Sequence, residues 1–125
     1  MPKTSRDTAS QVADLGVMES RSEQLDGYTV EFTTFREDAD GTPVFKGLPD
    51  DRCQSPHWGY VVRGRLTFRY ADHDEVYEAG DAYYAPPGHI PVVTAGTEVV
   101  EFSPTDEYSR TLEVVGRNLA AAQAV

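Results

Sequence analysis

The chain holds one cysteine and three histidines, and these four side chains carry most of the chemistry its composition offers. Cys53 has no second cysteine with which to form an intramolecular disulfide, so it is either a small buried hydrophobe or a working thiol. His73 sits in Ala-Asp-His-Asp-Glu and reads as a solvated hairpin tip. His57 and His89 differ from it. Each lies where a proline- or glycine-bearing turn meets an apolar segment, His57 in Cys-Gln-Ser-Pro-His-Trp-Gly-Tyr and His89 in Pro-Pro-Gly-His-Ile-Pro. Thiols and imidazoles are preferred ligands of transition metals, and imidazoles titrate near neutrality. Two chemistries are therefore open: a metal site, or metal-free acid–base catalysis by His57 or His89. The structural alternative makes Cys53 core filler, hydrogen-bonds His57 to a backbone carbonyl beneath Trp58, and uses His89 to cap the Pro-Pro-Gly turn.

Such residues need a frame. From residue 28 the sequence reads as strands: Tyr28, Val30 and Phe32 alternate with Thr29, Glu31 and Thr33, and the alternation slips at Phe35, which suggests a bulge. Six further segments, 60–62, 66–70, 75–77, 82–84, 90–94 and 98–102, are rich in β-branched or aromatic residues and are separated by Gly, Pro or Asp. Strands repeating every ~8 to 12 residues belong to an all-β sandwich or barrel. Asp38 to Pro43 is a turn by composition, and a second loop runs from Gly47 to Asp51. Residues 1–27 form a polar N-terminal arm in which Val12, Leu15 and Met18 mark at most a short helix. After Phe102, Ser103 is placed as an N-cap with Pro104 at the first helical position, and Tyr108, Leu112, Val115, Leu119 and Ala122 make one apolar stripe. Gly116 weakens that helix by about 1 kcal/mol. The stripe covers the outside of the barrel or a sheet edge, or else meets its copy in a homodimer.

With 125 residues there is room for one core, divided here into an arm (1–27), a β-barrel (28–103) and a C-terminal helix (104–125). A hydrophobic share of 39% with 26% charged residues argues for a folded globular chain and against a membrane span. The formal charge of −10 repels phosphate backbones and anionic lipid, which removes nucleic acid and membrane surfaces as partners. The expected partner is a small molecule. No apolar stretch near the start serves as a secretory signal, so a cytoplasmic location with a reduced thiol is expected.

Two segments resemble the motifs of the cupin superfamily. In the second motif, G-x5-P-x-G-x2-H, Gly80, Pro86 and Gly88 stand at the required intervals, Pro91 occupies the final histidine position, and His89 lies two residues earlier. The first motif, G-x5-H-x-H-x3–4-E-x6-G, is matched at its close by Gly64; counting back puts His57 at the glutamate position and Asp51 and Cys53 at the two histidine positions. The chain is also similar to small single-domain bacterial cupins with a Cys-x-x-Pro-His-x-Gly-Tyr-Val start and a Pro-Pro-Gly-His turn. The resemblance covers residues 28–103 and implies an all-β, antiparallel jelly-roll barrel. Cupins bind metal through three histidines and one glutamate, and the resemblance implies that Cys53, His57 and His89 take over that role with charge and donors permuted. Four residues of straight strand advance about 13 Å, too far for Cys53 and His57 to share an ion, so Ser55-Pro56 must bend the chain between them. Thiolate with imidazole favours zinc, copper or nickel over magnesium or calcium, and the cupin resemblance adds ferrous iron and manganese, so zinc or iron is expected.

Other positions are secondary. Asp51 is a fourth ligand or a solvated turn, and Glu101 is an inward acid beside a histidine or an outward solvated one. Tyr60, Tyr70 and Tyr84, with Tyr77 and Tyr83, are candidates for the pocket wall. Arg65 and Arg69 share a solvated face. Three functions remain open: a metal-dependent enzyme acting on a small polar or aromatic metabolite, a non-catalytic module that binds a metabolite or metal, and a metal-free acid–base catalyst. The barrel does not select among its many reactions.

Overall fold

The computed structural model describes residues 2–123. The strands are β1 (Gln11–Asp14), β2 (Met18–Leu25), β3 (Tyr28–Phe35), β4 (Ala39–Asp40), β5 (His57–Arg63), β6 (Arg65–Arg69), β7 (Asp74–Glu78), β8 (Ala82–Ala85), β9 (Ile90–Val93) and β10 (Glu98–Pro104), followed by the helix α1 (Thr105–Gln123). They form a six-stranded sheet in the order β1-β2-β3-β10-β5-β8 and a four-stranded sheet in the order β4-β9-β6-β7, with antiparallel pairing throughout. The all-β class is as expected, although the two sheets face each other without closing into one hydrogen-bonded ring. The core lies between them: Val61, Tyr83, Ala85 and Val99 from one sheet meet Leu66, Phe68 and Val93 from the other. No described helix is long and apolar enough to cross a membrane.

Three local expectations are corrected. The first 27 residues are not a free arm, because β1 and the eight-residue β2 extend the large sheet, with β2 paired along the whole of β3. The slip at Phe35 is not a bulge. Phe35 stays in register opposite Met18, and the shift of register lies instead between Glu98 and Val99 of β10. Glu31, Thr33 and Phe35 share one inward face whose chemistry changes from polar to apolar along the strand. Finally, Ser103 and Pro104 end β10 and the helix begins at Thr105, whose N–H donates to the Gly27 carbonyl at 2.9 Å.

The helix stripe packs inward. Tyr108 and Thr111 are buried, Val115 and Leu119 are half-buried against the cavity, and Leu112 stands at its edge, 42% exposed; the side chain of Ala122 lies outside the described residues. Asn118 donates to the carbonyls of Val44 (2.7 Å) and Lys46 (2.9 Å), which ties the 42–51 loop to the helix. Tyr108, Val115 and Leu119 of this stripe therefore meet the chain's own barrel. The outer face of the large sheet instead presents Trp58, Tyr60, Tyr84 and Phe102, each more than 40% exposed, with the Trp58 and Tyr84 rings 4.9 Å apart.

Candidate metal centre

Cys53 and His89 are held as backbone partners. Cys53 N–H donates to the His89 carbonyl (2.9 Å), and Gly88 N–H donates to the Cys53 carbonyl (2.7 Å), so the two residues bridge antiparallel just outside the named strands. Gly88, at φ +99°, takes the left-handed conformation that turns the chain after Pro86-Pro87 and delivers His89 to this bridge. Between the bridge and His57, the first residue of β5, Gln54-Ser55-Pro56 redirects the chain, and Ser55 is fully buried in the bend. The required bend is therefore present, and the three side chains converge.

One donor atom from each of Cys53, His57 and His89 lies within 4.8 Å of the other two. Cys53 Sγ is 3.6 Å from His57 Nε2, and the two imidazole rings are 4.9 Å apart. All three residues are buried, with exposures of 2%, 4% and 1%. Each ring is fixed through its other nitrogen. His89 Nδ1 donates to the Pro86 carbonyl (2.8 Å), which puts its proton on Nδ1 and leaves a bare lone pair on Nε2. That Nε2 is buried and has no hydrogen-bond partner. His57 Nδ1 bonds Ser103 Oγ at 2.7 Å and lies 3.9 Å from Glu101 Oε1. The hydroxyl read as a helix cap thus orients an imidazole.

Burial sets the charge states. It lowers His57 and His89 to about pKa 4, with the neighbouring imidazole adding to the effect at His89, so both rings are neutral at neutral pH. It pushes the Cys53 thiol up to about 12, so the proton leaves only against a cation. A buried thiol, two neutral imidazoles, each anchored through Nδ1, and an orphaned buried nitrogen form a donor set that a transition metal fits.

The remaining candidates separate. Asp51 does not face the site: it is exposed, at φ +55°, in the short 3-10 turn Pro49–Asp51, and its carboxylate accepts the Gly47 N–H at 3.0 Å. Glu101 does face inward, directly opposite Glu31 across β3 and β10. Glu101 Oε2 accepts from Tyr83 (2.6 Å) and Glu31 Oε1 from Tyr108 (2.7 Å), and burial raises the pKa of both carboxyls. Tyr70 packs edge-on to His89 at 5.9 Å and donates to the Pro86 carbonyl that holds the ring. Tyr60 and Tyr84 are not pocket residues, because the strand alternation that turns His57, Val61 and Tyr83 inward turns them to the exposed outer face. Ser103, Glu31 and Tyr108 were missed by local reading. Glu31 had one signal, since it shares strand parity with a residue that faces the core.

The centre opens on a cavity of about 640 Å³ running between the sheets and beneath α1. No family model matches the sequence, and no curated protein matches it. Solved structures do match the fold. KdgF from Halomonas sp. is 21% identical over 75% of this chain and 86% of its own, with a TM-score of 0.55. An RmlC-like cupin from Shewanella frigidimarina is 21% identical over 81% and 88%, with a TM-score of 0.57. The polyketide cyclase RemF from Streptomyces resistomycificus is 15% identical over 83% and 79%, with a TM-score of 0.58.

Proposed function

Starting from a cupin fold, we propose that the protein is a metal-dependent enzyme acting on a small polar or aromatic molecule inside the barrel, with Cys53, His57 and His89 as the metal ligands. The observation that carries this reading is the unpartnered, buried Nε2 of His89, on a residue that offers one donor atom within 4.8 Å of those of Cys53 and His57. Thiolate with imidazole favours zinc or iron, and a working thiol suits the reducing cytoplasm. Three protein ligands leave room for a substrate or water, as in catalytic rather than structural sites. A divalent ion there would supply Lewis acidity, polarising a substrate oxygen or acidifying a water.

The chain's own residues do the positioning. The Pro86 carbonyl and Ser103 hydroxyl each hold one ring through its Nδ1, His57 Nε2 lies 3.6 Å from Cys53 Sγ, and the walls of Phe68 and Tyr108 keep the rings from turning. Glu101 lies behind His57, near enough to balance positive charge at the centre. Metal-free acid–base catalysis by the histidines has weaker support, because rings held near pKa 4 carry almost no proton at neutral pH.

The test is elemental analysis of protein purified without a histidine tag. Close to one transition-metal ion per chain is expected, lost on His89→Ala and weakened on Cys53→Ser. Wild-type protein that neither contains nor takes up zinc or ferrous iron refutes the reading. Undiminished metal in Cys53→Ser removes the thiolate from it. A ligand found by thermal shift and recovered unchanged would mark a binding module rather than an enzyme.

A further inference from the structure

The charged lining of the cavity has one sign. Glu31 and Glu101 stand at its interior, and Glu37, Asp38 and Asp40 stand toward the β3–β4 side, while no Lys or Arg side chain lines it among the described residues. Among the described residues, one Arg pairs with this set: Arg69, half exposed, lies 3.4 Å from Asp40. Glu31 and Glu101 are direct cross-strand partners on a face turned away from solvent, an arrangement in which two carboxylates repel each other. Glu31 accepts from Tyr108, Thr33 and Ser20, and Glu101 Oε2 accepts from Tyr83; Glu101 Oε1 remains 3.9 Å from His57 Nδ1, beyond hydrogen-bond reach. Phe35 and Phe68 line the same space with apolar surface. The cavity also holds the unpartnered Nε2 of the 1%-exposed His89, an independent mark of a space built to be occupied.

We propose that the cavity takes an organic cation, an ammonium group carried on an aromatic or apolar body, with the ammonium directed between Glu31 and Glu101 and the body against Phe35 and Phe68. An ammonium has three donors and one charge, and so answers both carboxyls at once with charge-assisted hydrogen bonds. The aromatic walls add apolar burial and cation–π attraction. A carboxylate or phosphate in the same place meets two acids and no base. This inference rests on the cavity being the substrate site of the proposed enzyme, and it narrows that substrate to amines.

Benzylamine, benzyl alcohol and benzoate share one ring and differ in charge, so they isolate the claim. Each is titrated calorimetrically into the full-length protein, both zinc-loaded and chelator-treated, with zinc content measured on the same samples. Benzylamine is expected to bind about tenfold or more tighter than benzyl alcohol, the return of one charge-assisted hydrogen bond, and benzoate is expected not to bind. Glu31→Gln should bring benzylamine to within about threefold of benzyl alcohol while leaving the alcohol unchanged, which also reports that the variant is folded. Glu101→Gln gives the same comparison should Glu31→Gln fail to fold. Benzoate binding as well as benzylamine, no benzylamine binding, or benzylamine affinity intact in both variants overturns the proposal. Benzoate binding only to zinc-loaded protein overturns it while supporting the metal centre; amine preference in protein that takes up neither zinc nor ferrous iron supports it while refuting the metal centre.

Discussion

Acid should loosen the metal-free protein through its two buried imidazoles. Burial holds His57 and His89 near pKa 4, against 6.5 for an ordinary histidine in the unfolded chain. Between those values the unfolded chain binds protons that the folded chain does not, so this contribution to stability is complete above pH 6.5 and is lost as pH falls toward 4. Going from pH 7 to pH 5 costs about 2 kcal/mol per histidine and about 4 kcal/mol for both, a large share of the ~5–15 kcal/mol that holds a domain together. Glu31 and Glu101 act in the opposite sense: burial raises their pKa, the folded state protonates first, and stability rises as pH falls through those raised values. A difference measurement cancels the carboxyls. His89→Phe keeps an aromatic ring against Phe68, whose centroid is 4.4 Å from that of His89, and removes the proton site. In urea unfolding of chelator-treated protein, the wild type should lose about 2 kcal/mol more than His89→Phe between pH 7 and pH 5. Equal losses in the two proteins would refute the assignment of a buried, neutral His89.

Zinc should stabilise the wild type more at pH 7 than at pH 5, since the ligands must shed their protons; differential scanning fluorimetry at the two pH values reads this, and equal shifts contradict it. Gly59→Ala should cost about 1–3 kcal/mol, because a Cβ there collides with the ring of Tyr83 and forces it off Glu101, and chemical denaturation measures the loss. Asn118→Ala removes both hydrogen bonds that tie the 42–51 loop to α1. It should cost about 1–2 kcal/mol and speed limited proteolysis within residues 42–51, with an unchanged cleavage rate arguing against the tie.

How much of this was legible depended on whether a residue's role is local. The strands from β5 onward announce themselves because apolar residues alternate between Gly and Pro punctuation. Strand β2 does not, since its cavity-facing set of Met18, Ser20 and Ser22 is mostly small and polar, and a strand with hydroxyls inside has no hydrophobic period to read. Ser103 failed for a related reason: a serine before a proline looks like a cap whether its hydroxyl serves a helix N–H or an imidazole from β5. Glu31 and Glu101 are 70 positions apart in sequence, and only the β3–β10 register, a product of the whole sheet, puts them side by side.

The turn-capping and metal readings of His89, rivals in the sequence, are compatible in the structure. His89 does cap the Pro-Pro-Gly turn, and that cap settles which nitrogen carries the proton. With Nδ1–H committed to the Pro86 carbonyl, Nε2 must present a lone pair, and leaving it dry and unpaired carries a cost of about 1–3 kcal/mol. A residue with only a turn to cap could do so with its second nitrogen in water, yet His89 is buried to 1% exposure beside a thiol and a second fixed imidazole. Protein atoms alone give that nitrogen no partner, so the turn cap accounts for half of the ring, and the other half is the donor that the proposed metal centre would use.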